Sequence, residues 1–229
     1  MKKVIFMENA PLKIYFAGDL FDAKDLGGNL MLASAIGRVS RCRYQVMLPQ
    51  NGECEVTDRT AQNIRNADFE LLFTCDCIVA NFDGTDLDSG TVVEFCFAKM
   101  IDMPAVLLRT DFRNGGDHDL NDGDPWNLMC SHYPRTETVH VNGMVRYHEC
   151  MAKNLPTAEK LEKYYESIAA EVVEALDRVV SQKSWLKPEE VLSQYQLAVR
   201  SMGGGMSELL PDEKLQNIVS GKKALDLYS

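Results

Sequence analysis

Four carboxylates, Asp83, Asp86, Asp88 and Glu94, stand within twelve positions in the stretch FDGTDLDSGTVVEF, residues 82–95. An apolar run, CDCIVANF, precedes them and a helical run, VVEFCFAKMI, follows, so they fall at a strand-to-helix turn. Acids crowded at such a turn can hold a metal ion, cap a helix or attack a substrate covalently. Thr91 and Glu94 match the S/T-x-x-E capping box, which would make Glu94 a helix-start carboxylate. Asp88, followed by Ser89 and Gly90, reads as an N-cap. Glu94 also stands one turn beyond Gly90, a position without a side chain, and from there a carboxylate can look back into a cleft above a sheet. Spacing alone leaves both assignments open. Asp83 and Asp86 read as turn residues of a solvated rim whose loss should be tolerated.

The other candidate chemistry is weaker. In DHDLNDGD, residues 117–124, Asp117, Asp119 and Asn121 alternate as in a calcium loop. The sixth position, however, is Asp122 instead of Gly, and the twelfth is Leu128 instead of Glu. The histidines, at 132, 140, 148 and 118, lack zinc-ligand spacing, so no metal is expected. FAGDLF and DGTDLDSG are glycine-bearing turns before helices, and their N–H groups could bind an anion. Neither matches GxGxxG or the P-loop, and the carboxylates of the second would repel a phosphate. A neutral, hydroxyl-rich ligand such as a nucleoside or sugar fits better.

These turns need a scaffold that brings them together. Five apolar runs, at 13–18, 43–49, 77–83, 104–110 and 137–141, lack strict alternation, as strands buried on both faces do. Helical patterns lie between them at about 24–40, 57–74, 89–102 and 126–132. The alternation predicts a doubly wound, five-stranded parallel sheet with helices on both faces and ligands beyond the strands' carboxyl ends. A long amphipathic helix is expected over 157–183, with Leu161, Tyr165, Ile168, Val172 and Leu176 on one stripe. Another should run from Pro188 to Gly203, followed by a short helix and a frayed end. The α/β domain is placed at 1–184 and a helical C-terminal extension at 185–229. The acidic loop over 111–126 reads as a lid or an irregular segment.

Composition narrows the partners. The 229 residues carry 24 Lys and Arg against 34 Asp and Glu, a formal charge of −10. No nucleic-acid polymer is expected to bind a chain without a basic cluster. Seven scattered cysteines suggest reduced thiols in a cytoplasmic protein. Glu8 and Pro11 interrupt the opening MKKVIF before a signal-peptide core develops, and no apolar run reaches the ~20 residues of a membrane span, so no membrane association is expected.

IYFAGDLF, DGTDLDSGTVVEFCFA and WNLM together resemble the nucleoside 2-deoxyribosyltransferase family over about residues 12–175. The resemblance implies a flavodoxin-like fold, a homodimer or larger homo-oligomer, no cofactor, and exchange of bases on 2′-deoxynucleosides. It implies that Glu94 is the nucleophile, in the pattern Asp88-x-Gly90-x-x-x-Glu94. Asp88 would then bind the sugar hydroxyls, Asp68 of RNADFELL would shuttle a proton to the leaving base, and Tyr15 would hydrogen-bond the nucleophile. Asn127 and Met129 would complete a neighbouring subunit's sugar pocket, with Gln50, Gly18 and Phe21 as further substrate contacts. The chain departs from the pattern at Asp19, where many members carry Pro or an aromatic, in its long acidic loop and beyond about residue 185. The same scaffold would also serve a deoxynucleoside or deoxynucleotide N-hydrolase, and a non-catalytic, TIR-like nucleotide-binding module is the alternative of a different class.

Overall fold

The computed structural model of the chain describes residues 10–52, 56, 58–113 and 124–228. The opening MKKVIF and most of the calcium-like stretch, 117–123, lie outside the described residues.

Five strands, β1 (Leu12–Ala17), β2 (Tyr44–Met47), β3 (Cys77–Asn81), β4 (Ala105–Arg109) and β5 (Thr136–His140), form one sheet in the order β2-β1-β3-β4-β5. Every pairing is parallel. This is the flavodoxin-like doubly wound order, which reverses direction between β1 and β3. Alternate strand residues enter two separate cores. Ile14, Phe16, Val79, Val106 and Leu108 pack against α1 (Ala23–Val39) and α6 (Thr157–Val180). Tyr15, Ala17, Ile78, Ala80 and Leu107 face α3 (Ala61–Thr74) and α4 (Ser89–Met100).

Local chemistry sets the helix starts near the crevice. Asp22 accepts from the amides of Lys24 and Asp25 while the Asp25 carboxylate accepts from the Asp22 amide, a capping box that opens α1. Thr60 caps α3 through the Asn63 amide, so this helix begins at 61, later than the run 57–74 suggests. A four-residue turn of helix, α2 (Pro49–Gly52), follows β2. In α6, Ile168, Val172 and Leu176 of the expected stripe are buried.

Three expectations need correction. Only a 3-10 turn, Leu128–Cys130, stands where a helix over 126–132 was expected. Asn127 caps it at once by accepting from the Met129 amide, and the Trp126 ring turns inward onto Phe82. An additional helix, α5 (Gly143–Met151), is opened by Asn142, whose side chain accepts from Val145 N–H. As far as Tyr228 the tail is not frayed: α7 (Val191–Met202), α8 (Met206–Leu209) and α9 (Asp212–Ala224) continue the core beyond α3 and α4, and Leu227 and Tyr228 are buried. Among the described residues no helix is long and apolar enough to cross a membrane.

Candidate active site

Above the carboxyl ends of β1 and β3 the two faces of the sheet meet at the reversal point. Tyr15, the fourth residue of β1, is fully buried and points its side chain toward α4. Its Oη donates to Glu94 Oε1 at 2.5 Å. Glu94 is half-buried on the second turn of α4. Burial is the main cause pushing its carboxyl up to about 8; the Tyr15 hydrogen bond works against that, and the charges of Asp68 and Asp88 add to it. Burial and the Glu94 charge hold the Tyr15 phenol well above its ordinary value, so it remains a donor. Asp68, on α3, lies within electrostatic reach of both. It also lines a small cavity of about 340 Å³ with Gly52, Ala67, Leu71 and Thr74.

The capping question has a definite answer. Asp88 is the N-cap of α4, its Oδ2 accepting from the Thr91 amide at 2.7 Å and from Thr91 Oγ1 at 2.9 Å. Thr91 is therefore inside the helix, the Thr91–Glu94 capping box does not form, and Glu94 reaches Tyr15 instead. The same bonds make Asp88 the cap that the sequence offered for it. Gly90 permits the arrangement, because a Cβ there would sit 3.0 Å from Asp88 Oδ2. At Gly18 a Cβ would lie 3.2 Å from Asn81 Cβ, which shows how closely the turns after β1 and β3 approach.

The remaining expected site residues lie on other segments. Gln50 donates its amide to the Leu26 carbonyl at 3.1 Å, tying α2 to α1. Phe21 is 80% exposed in the bend after β1. Asn127 and Met129 are exposed and border a cavity of about 660 Å³ together with Ser89, Val93, Arg109 and Trp126. Glu94, Tyr15 and Asp68 are not among its lining residues.

Asp83 is not a tolerant rim residue. Its carboxylate accepts from the Thr110 amide at 2.5 Å, Thr110 Oγ1 at 2.7 Å and the Asp111 amide at 2.8 Å, joining the ends of β3 and β4. Asp86, in contrast, is exposed as expected. The buried Arg109 guanidinium donates to the carbonyls of Phe82, Gly84 and Arg113 from beneath the turn that carries Asp88. A lone cation closing the apolar run PAVLLRT is the signal that marks it in the sequence. Asp83→Ala should leave two backbone amides without their acceptor and destabilise the protein by about 1–3 kcal/mol, measured by urea unfolding. Asp86→Ala, which removes none of these bonds, should unfold as wild type does.

On the α1 and α6 side, Asp19, Asp25, Asn81, Asp83, Thr110 and Tyr165 line a third cavity, of about 470 Å³. Burial raises the Asp19 carboxyl, and the charges of Asp88, Asp25, Asp83 and Asp22 add to the effect.

A raised carboxyl is also a stability statement. Folded Glu94 keeps its proton up to about 8, whereas the unfolded side chain loses it near 4.5. Over that window the unfolded chain binds fewer protons, so this group's contribution to stability falls as pH rises and levels off above 8. Glu94→Gln removes the loss. Its melting temperature should exceed that of wild type by more at pH 9 than at pH 5, and an equal difference at both would contradict the shift.

The fold and site define a doubly wound α/β protein with a half-buried glutamate bonded to a buried tyrosine at the sheet's reversal point. The chain belongs to the nucleoside 2-deoxyribosyltransferase family, whose model matches residues 14–129, just over half of its length. No curated protein matches it. Among solved structures it is similar to a conserved protein of Enterococcus faecalis, 28% identical with a TM-score of 0.48, over 59% of this chain and 95% of that one. A 2-desoxiribosyltransferase from Leishmania mexicana is 24% identical with a TM-score of 0.42, covering 53% of this chain and 87% of that one. A 2-deoxyribosyltransferase from Bacillus psychrosaccharolyticus is 17% identical with a TM-score of 0.43, covering 65% and 95% respectively.

Proposed function

We propose that this protein transfers the 2-deoxyribosyl group between purine or pyrimidine bases through a covalent ester on Glu94, with net retention. The observation that carries the reading is the Tyr15–Glu94 hydrogen bond beside Asp68 at the carboxyl ends of β1 and β3. Tyr15 holds one carboxylate oxygen and leaves the other to attack C1′. As the C1′–O bond forms, the C1′–N bond breaks and its electron pair leaves on the base nitrogen, which takes a proton from Asp68. In the second half an incoming base attacks C1′, its proton passes to Asp68, and Glu94 departs as carboxylate. Two displacements restore the starting configuration. No step calls on a cofactor or metal.

Substrate positioning falls to the turns. Asp88, while capping α4, and the Gly18 and Gly90 backbone would hold the sugar, and Gln50 and Phe21 would border the base. The acids around Asp19 would repel a 5′-phosphate, which supports nucleosides over nucleotides. Exposed Asn127 and Met129 suit a role in completing the neighbour's sugar pocket in a homodimer or larger homo-oligomer. Residues 1–184 would form the catalytic unit, acting in nucleoside salvage in the cytoplasm.

The test is base exchange. Incubation of 2′-deoxyadenosine with free hypoxanthine or cytosine should yield the exchanged 2′-deoxynucleoside, with ribonucleosides as inactive controls. Release of free base without any new nucleoside would make the protein an N-hydrolase, and binding without turnover would make it a ligand-binding module.

A further inference from the structure

We propose that the C-terminal helices brace α3 against rotation, and that Asn66 and the glycine turn 203–205 are positioning residues for Asp68. This rests on the reading of Asp68 as the acid that protonates the leaving base. Residues 185–228 lie beyond the stretch matched by the family model.

The turn MGGGM presents carbonyls to one face of α3. Gly203, Gly204 and Gly205 have φ of 59°, 58° and 81°, a left-handed run that only glycine adopts without strain. Two side chains converge on the Gly204 carbonyl, Asn66 Nδ2 at 2.6 Å and Gln62 Nε2 at 3.0 Å. Arg65 donates to the Met202 carbonyl and to Asn66 Oδ1, each at 3.0 Å, which fixes the orientation of the Asn66 amide. Asn66 is buried. The contacts continue down the helix. Lys214 of α9 pairs with Glu70, the Phe73 ring lies 5.8 Å from that of Tyr195 in α7, and buried Lys222 donates to the Cys75 carbonyl just past the helix end.

These contacts sit on one side of α3. At about 100° per residue, positions 62, 65, 66, 70 and 73 cluster on one face, and Asp68 lies roughly 130° around the helix from it. Added to the packing of Phe69 and Leu72 in the core, a polar clasp on this face opposes rotation about the helix axis, the motion that would swing Asp68 away from Glu94 and Tyr15. The same clasp reaches α4: the Arg65 guanidinium lies over the Phe69 ring at 5.3 Å, and Phe69 meets Phe97 edge-on at 5.3 Å. A plain cover over an apolar surface would need none of the polar bonds to Met202 and Gly204.

Leaving-group dependence tests the brace. Single-turnover base release is measured for 2′-deoxyinosine, whose base leaves with a proton, and for 4-nitrophenyl 2-deoxyriboside, whose phenolate leaves without one. Asn66→Ala should slow release from 2′-deoxyinosine by about tenfold, the scale of a sub-ångström misplacement, and from the nitrophenyl substrate by less than about twofold. Gln62→Ala, which deletes one exposed bond, should show the same split at smaller size and carries the test should Asn66→Ala fail to fold. Equal losses on both substrates, or none on either, overturn the brace and leave the role of Asp68 standing. If Asp68→Asn itself shows no leaving-group dependence, the assignment of Asp68 fails and the brace falls with it.

Discussion

Glu94→Ala should abolish base exchange, with base release from a 2′-deoxynucleoside falling on the order of 10⁶-fold, the scale of losing a covalent nucleophile. The helix should survive the change. Asp88 caps α4 through Thr91, independently of Glu94, and residue 94 is half-buried at the crevice and outside the two hydrophobic cores. The loss should therefore appear in turnover without a fall in melting temperature, and a deoxynucleoside should still bind. Exchange by Glu94→Ala at the wild-type rate would rule out the covalent route. The pH profile gives a second reading of the same group. Only the carboxylate attacks, so kcat/KM for wild type should climb with pH up to about 8, and the loss of the Asp68 proton that the leaving base needs should set the descending limb. Tyr15→Phe removes a bond that favours the charged form and should carry the rising limb to higher pH.

The sheet was legible because strands buried on both faces leave long apolar runs, and each of the five runs contains or overlaps a strand. The Tyr15–Glu94 pair was harder. Periodicity places Glu94 on a helix, but whether that helix begins at Asp88 or at Thr91 depends on which side chain takes the Thr91 amide, and the two caps look alike in sequence. Asp83 shows where local reading stops. Followed by Gly84 it has the look of a solvated turn, yet its partners Thr110 and Asp111 are 27 and 28 residues away and meet it only once β3 and β4 pair. The tail misleads for a related reason. Leu227 and Tyr228 carry no helical period of their own; they enter the core through distant partners, the Arg135 guanidinium, 92 residues earlier in the chain, donating to the Leu227 carbonyl and Tyr228 Oη donating to the carbonyl of Ile101. Motifs confined to one turn could be read, and groups whose partners arrive with the fold could not.

That distant tie predicts the largest effect on stability. Asp102→Ala should destabilise the protein by about 3–5 kcal/mol, the usual result of stripping one partner from a buried ion pair. Asp102 and Arg135 are 0% and 4% exposed, with Arg135 Nη1 at 3.2 Å from Asp102 Oδ2. The same oxygen accepts from Ser184 Oγ at 2.6 Å and from the Trp185 amide at 3.1 Å, so one carboxylate joins the end of α4, the start of β5 and the entry to the C-terminal helices. Its removal leaves a guanidinium in the interior with only carbonyls and the Tyr228 ring, 6.0 Å away, to face it. Backbone strain would confuse the measurement, because Asp102 has φ of 53° and alanine disfavours that region. Asp102→Asn separates the two effects, since asparagine tolerates the left-handed conformation but brings no charge, and it should lose most of the same stability. The pair Asp102→Ala with Arg135→Met should recover much of the loss, as a buried ion pair replaced by apolar side chains often does. Urea unfolding of the three variants decides it: if Asp102→Asn is as stable as wild type, the charge is not what holds the C-terminal helices to α4.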